Sequence, residues 1–504
     1  MSNKLTFEPK EELFLCSDSL LIKSDRKNPI SDFSISFLFE LIYKTIIKDD
    51  ASFLISYQGD EKHYNIVESL WNIDVLNRKN LFKYDSHCST DISLDILAAK
   101  KYNIDYVVKL KIGKKCDFIY FYVYDLKNNY YISEQEYREV YKSFFINPTK
   151  AKINNDIHAD ETKIISLDNL VTLQASNSEI LKAFSNVKQR YRSKNMILTN
   201  DLYSLTLVEN LFKNYDSSFK IKSNTIKNKI NNFFYKLFHS NVSNLRPYQS
   251  IINIDSFTNL DISLNLNYKL KKVTLNTAVL IYLDFLIDEI KRSKFIDVSN
   301  LFVVIPQNAT FQIIELLDQY NIKYFYYDPT AIYKYLWDEN CLFAYTLDSV
   351  NANPRYSKIN NNFYFLICLV WMLNSYTNRN NLLSFKYNLL CENFGKVKSI
   401  IKEYKFDSGN VHKIKSIIEQ NAKNKMFDKY EIFDIFISEK LVIAKFLMSD
   451  KKHQAIMWYD YKNSKICIEY QICFELNKNM RAWKFDYIRS KFFIKKLLKK
   501  AKNE

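Results

Sequence analysis

Leu301-Phe-Val-Val-Ile-Pro306, Glu315-Leu-Leu-Asp-Gln-Tyr320 and Lys323-Tyr-Phe325 are the stretches on which the fold class turns. The first is an apolar run of strand length, residues 310–320 carry an apolar helical period, and residues 323–327 form a second run of strand length. Strand, helix and strand in that order predict a βαβ unit, because parallel neighbours need a crossover between them. Just before it, residues 275–291 read as an amphipathic helix; after it, residues 363–373 are apolar on every side and predict a helix buried between layers.

The same alternation extends toward the N-terminus. Residues 52–57 read as a strand, 90–102 as a helix with Thr90 as N-cap and Asp91 in its first turn, and 105–110 and 118–124 as strands. A second unit runs from the strand 196–199 through the helix 202–213 and a helix near 224–238 to the strand 250–255. The last part changes character: 442–447, 454–459 and 465–473 read as antiparallel strands, followed by a basic helix from Phe485. Polar stretches at 154–161 and 405–410 are the linker candidates. The expectation is an α/β protein with three similar α/β domains built on mixed sheets, then a smaller α+β C-terminal domain. The boundaries fall at 1–165, 166–268, 269–410 and 411–504.

Composition bounds the function. With 47% apolar residues, 37 Tyr and 37 Phe, the chain has ample material for several cores. The net charge of +16 is spread along the sequence with Asn, Ile and Tyr, the composition an AT-rich genome produces. The one dense run, Lys495, Lys496, Lys499, Lys500 and Lys502, reads as a solvated face. The eight Cys contain no Cys-x-x-Cys and read as reduced core residues, and the six His show no metal-ligand spacing. Residues 1–10 offer no apolar signal region and no apolar run is long enough to cross a bilayer, so a cytoplasmic location without a membrane partner is expected. Only four Gly occur, at 59, 113, 395 and 409, where average usage of about 7% would give roughly 35. No two are close in sequence, which excludes a Gly-rich phosphate cradle.

Three α/β units followed by a smaller α+β unit resemble the α-D-phosphohexomutases, the phosphoglucomutase and phosphomannomutase family. The stretch from Leu301 to Phe325 is similar to the opening of that family's third domain, and Asn340-Cys-Leu-Phe-Ala-Tyr-Thr-Leu-Asp-Ser349 resembles an eroded form of its sugar-reading loop. The pair of helices at 363–376 and 382–392, ending near Phe394-Gly395, matches in spacing, and Thr90-Asp-Ile-Ser-Leu-Asp-Ile-Leu97 resembles the helix before the family's catalytic loop.

The resemblance implies four functional loops, and each departs from the family pattern. The phosphoserine loop would follow the strand at 105–110, where this chain has Lys111, Ile112, Gly113, Lys114 and Lys115 ahead of Cys116. No Ser or Thr lies between Ser93 and Ser133, and Cys116 reads as a core or strand-edge thiol. The metal loop would supply alternate aspartates, but only Asp255 stands there and no Asp-x-Asp occurs anywhere. The sugar loop presents Thr346 and Leu347 where two glutamates are expected, with Asp348 as a residual acceptor. The phosphate loop would carry an arginine. Lys462, Asn463 and Lys465 stand in its place beside Asp460, and no Arg lies between Arg379 and Arg481.

The expectation is therefore a catalytically degraded, phosphohexomutase-like pseudoenzyme. It would be a non-enzymatic scaffold that binds a protein partner or an active paralogue, with no cofactor and no sugar phosphate. The alternative is a divergent isomerase of carbohydrate metabolism interconverting hexose 1- and 6-phosphates with Mg. A further alternative is a basic nucleic-acid-binding protein, in which exposed aromatics interleaved with Lys would stack bases.

Overall fold

A computed structural model describes residues 11–16, 18–24, 29–47, 51–59, 63–71, 81–84, 92–113, 115–146, 164–167, 193–199, 205, 208–209, 219–223, 248–254, 260–267, 269–293, 300–328, 335–336, 338–346, 349–352, 362–379, 382–407, 410–423, 432–436, 443–448, 452–474, 488, 491–492 and 494–501. The expected cap Thr90 with Asp91, the linker 154–161, the helix near 224–238 and most of the helix 202–213 lie outside the described residues.

The first sheet contains β1 (Glu12–Leu15), β2 (Leu20–Lys23), β3 (Phe53–Gln58), β4 (Leu81–Tyr84), β5 (Tyr106–Ile112), β6 (Phe118–Asp125), β7 (Tyr130–Tyr131) and β8 (Ile164–Leu167). Their order is β1-β2-β6-β5-β3-β4-β8, with β7 on β6. The strands β5, β3, β4 and β8 are parallel neighbours, whereas β1, β2 and β6 pair antiparallel. Helices α1 (Asp32–Thr45), α2 (Tyr64–Trp71), α3 (Ile92–Lys101) and α4 (Glu134–Ile146) accompany it. Ser31 caps α1 by accepting a hydrogen bond from the Ser34 backbone N–H, which satisfies one orphan donor of the first turn.

The second sheet has the order β10 (Phe219–Ser223), β9 (Asn195–Thr199), β11 (Ser250–Ile254), β12 (Leu260–Leu266), β13 (Lys269–Val273). After it comes α5 (Leu275–Ser293), then a third sheet in the order β15 (Lys323–Tyr326), β14 (Phe302–Ile305), β16 (Cys341–Tyr345), β17 (Val350–Asn351), with α6 (Phe311–Gln319) between β14 and β15. Helices α7 (Asn362–Asn378) and α8 (Leu383–Phe394) follow. The all-round apolar stretch in α7 is buried as its sequence demands: Phe365, Leu366, Leu369 and Val370 are all buried. Each such side chain contributes about 1.5–3 kcal/mol relative to exposure.

The last sheet is fully antiparallel, in the order β18 (Lys396–Lys405), β22 (Lys465–Phe474), β21 (Gln454–Asp460), β20 (Ala444–Met448), β19 (Ile432–Phe436), with α9 (Val411–Lys423) and a C-terminal helix on one face. Strand β18, upstream of residue 410, pairs along its whole length with β22. Four Lys and a Glu among its ten residues, none of them buried, leave little apolar signal, so sequence alone did not mark it. The chain is thus three α/β units on mixed sheets and a smaller α+β unit.

Two cores tie the units together. Side chains of β9, β11 and β12 share one apolar cluster with α5, α6 and α7. A second cluster joins Leu54, Val107 and Tyr124 of the first sheet to Phe302, Val304 and Ala344 of the third.

Candidate functional site

In each of the first three sheets a parallel strand is followed at once by an antiparallel one: β5 by β6, β11 by β12, β16 by β17. The turns between them are equivalent places in the topology. They coincide with the three loops expected to carry phosphoserine, metal and sugar recognition, and the fourth expected loop is the turn between β21 and β22.

The first turn is closed by its own backbone. Pairing of β5 with β6 continues to Ile112 opposite Ile119, the Gly113 N–H donates to the Phe118 carbonyl at 2.9 Å, and the Cys116 N–H donates to the Gly113 carbonyl at 2.8 Å. A Cβ on Gly113 would stand 2.5 Å from the Phe118 ring, so glycine is required here by close packing and not to wrap an anion. The Ser24 and Ile30 amides donate to the carbonyls of Asp117 and Cys116, which fastens the turn to the segment after β2. Of the residues expected at this loop, Ile112 and Gly113 are buried, Lys111 is half-buried opposite Tyr120, Lys115 is exposed, and Lys114 lies outside the described residues. Cys116 is buried, in keeping with its reading as a core thiol, and none of the described cysteines is in a disulfide.

Asp255 lies outside the described residues, in the connection between Ile254 and Leu260. By sequence that connection offers a single carboxylate beside Ser256, Phe257, Thr258 and Asn259. This donor set does not fit a magnesium ion, which takes carboxylate oxygens in near-octahedral array. Among the described residues no group of three or more His, Cys, Asp or Glu could hold a metal ion.

The third turn is bonded across its ends. The Thr346 N–H donates to the Ser349 carbonyl at 2.7 Å, the Ser349 N–H donates to Thr346 Oγ1 at 3.0 Å, and the two hydroxyls are 2.9 Å apart. Thr346 is buried by these bonds, and Asp348 lies outside the described residues.

The fourth turn folds around Asp460, whose carboxylate accepts from the Asn463 N–H at 3.1 Å and from Asn463 Nδ2 at 2.7 Å. Lys465 Nζ pairs with Glu403 Oε2 at 2.5 Å, and this carboxylate holds the ammonium above its usual pKa. Lys462 points across to the first unit, with Nζ 4.2 Å from the centroid of the Phe118 ring. Tyr461 packs on Phe14 of β1 at 5.8 Å, and Lys23 Nζ donates to Ser464 Oγ at 3.0 Å. Tyr120, next on the same face after Phe118, is half-buried. Burial, followed by the nearby Cys16, Asp460 and Asp18, pushes its hydroxyl well above its usual range.

Three of the stretches singled out in the sequence thus fall in turns between paired strands, and sequence reasoning missed what packs beside them. Tyr461, Lys23, Phe14 and Tyr120 bring the fourth unit onto the first. The alternation of Phe118, Tyr120 and Tyr122 along β6 was the available signal, since it sets one aromatic row on one face. The clamp yields a first prediction: the double variant Tyr461→Ala/Lys462→Ala is expected to weaken the contact by about 1–3 kcal/mol and to widen a label-to-label distance between β1 and β18. An unchanged distance distribution would show that these side chains do not hold the two units together.

Comparison with known proteins bears on this geometry. No sequence-family model matches the chain, and no curated protein matches it. Among solved structures, a phosphoglucomutase/phosphomannomutase family protein from Burkholderia thailandensis is similar with a TM-score of 0.64 at 11% identity, over 97% of this chain and 97% of that one. The chain has the phosphohexomutase fold. The open form of the exocytosis-sensitive phosphoprotein parafusin, a phosphoglucomutase from Paramecium, is similar with a TM-score of 0.58 at 11% identity, over 92% of this chain and 91% of that one. At such identities the likeness speaks for the phosphohexomutase fold alone. The fold agrees with the order of units expected from the sequence.

Proposed function

We propose that this chain is a non-catalytic, phosphohexomutase-like scaffold in which the first and fourth units are closed on each other. The reading rests on the β5–β6 turn. It holds no hydroxyl, its Gly113 and Cys116 amides are bonded within the turn, and its Phe118 ring is occupied by Lys462 of the opposite unit. Phosphoryl transfer through the protein needs an oxygen to carry the group and positive charge placed to stabilise it in flight. Lys462 and Lys465, the cations in the fourth loop's place, are engaged with an aromatic ring and a carboxylate.

Incubation with glucose 1-phosphate, its 1,6-bisphosphate and Mg is expected to give no glucose 6-phosphate above the no-protein background, and mass spectrometry is expected to find no phosphorylated side chain. Turnover, or a phosphorylated residue in the first unit, would sink the reading.

A further inference from the structure

The fourth unit offers a surface that the scaffold reading does not use. Its sheet has two different faces. One carries Gln454, Glu469 and Gln471, which meet the third unit: Asn308 Nδ2 donates to Glu469 Oε2 at 3.0 Å and Gln454 Nε2 donates to the Ala309 carbonyl at 2.9 Å. The other face is covered by a two-helix layer. Ile414, Ile417 and Ile418 of α9 and Ile494, Leu497, Leu498 and Ala501 of the C-terminal helix pack into one cluster with Phe446, Met457 and Ile468 of the sheet.

Because both helices bury their apolar stripes on the same face, their outer sides look the same way, away from the third unit. Those outer sides carry Lys413, Lys423, Lys495, Lys496, Lys499 and Lys500, all exposed, against the single exposed acid Glu419 among the described residues of the two helices. At the start of the C-terminal helix stand Ile488, 45% exposed, and Phe492, 69% exposed. They are four residues apart in sequence, and so on one stripe of the helix.

We propose that this two-helix layer docks on an anionic lipid bilayer surface, with Phe492 and Ile488 entering the headgroup boundary and the lysines facing acidic headgroups. Charge complementarity selects a polyanion, since each Lys near such a surface adds favourable attraction within a Debye length. The aliphatic partner of Phe492 separates lipid from nucleic acid. An isoleucine has no π face on which a base could stack, but like phenylalanine it gains by leaving water for the acyl boundary. The attachment is peripheral: among the described residues no helix is long and apolar enough to cross a membrane. It departs from the sequence-based expectation of no membrane partner, which treated the lysine run without the second helix beside it. It holds whether or not the turns between the sheets are catalytic.

The test is co-sedimentation of the full chain with phosphatidylcholine vesicles that do or do not contain phosphatidylserine. Binding is expected only with phosphatidylserine and is expected to fall as salt rises. Lys495→Glu/Lys496→Glu/Lys499→Glu should lower the partition coefficient by about a hundredfold or more, and Phe492→Ser by several-fold. These side chains are exposed, so an unchanged melting temperature accompanies the loss. Equal binding to uncharged vesicles, undiminished binding by the triple variant, or retention on duplex DNA with none on vesicles would each overturn the proposal.

Discussion

Asp95→Ala is expected to destabilise the first unit by roughly 3–5 kcal/mol, the largest loss anticipated from any single substitution in this chain. Asp95 is fully buried on α3, where its Oδ2 accepts from Lys109 Nζ of β5 at 2.8 Å and from Ser56 Oγ of β3 at 2.6 Å. Lys109 is only 2% exposed, so removing the carboxylate takes the Asp95 charge from an ammonium that stays in the core. Breaking one half of such a pair costs far more than the pair is worth, because the remaining ion keeps its full desolvation penalty. The double variant Asp95→Leu/Lys109→Met serves as the control and should recover most of the loss. Hydrogen exchange of the β3 and β5 amides resolves this unit from the other three, where a bulk melt would average them. A loss below about 1 kcal/mol for Asp95→Ala would mean that the Asp95 carboxylate is not what holds the ammonium in the core.

Asp95 also shows what a sequence can and cannot convey. Its helix and the strands of Lys109 and Ser56 were each readable from apolar period, as were the order of the units and the burial of α7. Their meeting was not, because it depends on how α3 lies across the sheet, and spacing in sequence carries no such information. The same limit applies to the candidate site. The Lys111–Lys115 stretch, the Asp255 position and the Thr346 turn, singled out by resemblance, fall at equivalent points of the topology, and the Lys462–Lys465 turn lies in the antiparallel last sheet. What closes them was not legible. Gly113 looked like a vestige of a phosphate loop, yet the Phe118 ring requires it. Gly395 likewise sits at φ 75° where a Cβ would stand 2.6 Å from Cys473 Sγ. Gly113 and Gly395 stand where packing or backbone demands glycine, which gives their retention a physical meaning.

Lys445→Met is expected to stabilise the fourth unit by up to about 3 kcal/mol at neutral pH, with the gain vanishing in alkali. Lys445 lies on β20, on the face opposite the two-helix layer, and is 2% exposed. Its Nζ sits 5.4 Å from the centroid of the Tyr326 ring, and no carboxylate lies within ion-pairing distance among the described residues. Glu469 is on the same face, but Ile456 stands between them in the ladder, paired to each. Burial alone therefore lowers the ammonium's pKa from 10.5 to about 8. The sign follows from proton uptake. Below pH 8 both folded and unfolded chains carry the proton, and the folded one bears the whole desolvation cost. Between about 8 and 10.4 only the unfolded chain holds it, so stability climbs with pH and the cost is gone at the upper end. Methionine fills a similar volume without charge, so its advantage should be full at pH 7 and small at pH 10. Urea unfolding followed by exchange of the β20 and β21 amides at the two pH values measures both. An equal gain at pH 7 and pH 10 would assign the effect to packing, and no gain at either would mean that the ammonium is better solvated than its burial implies.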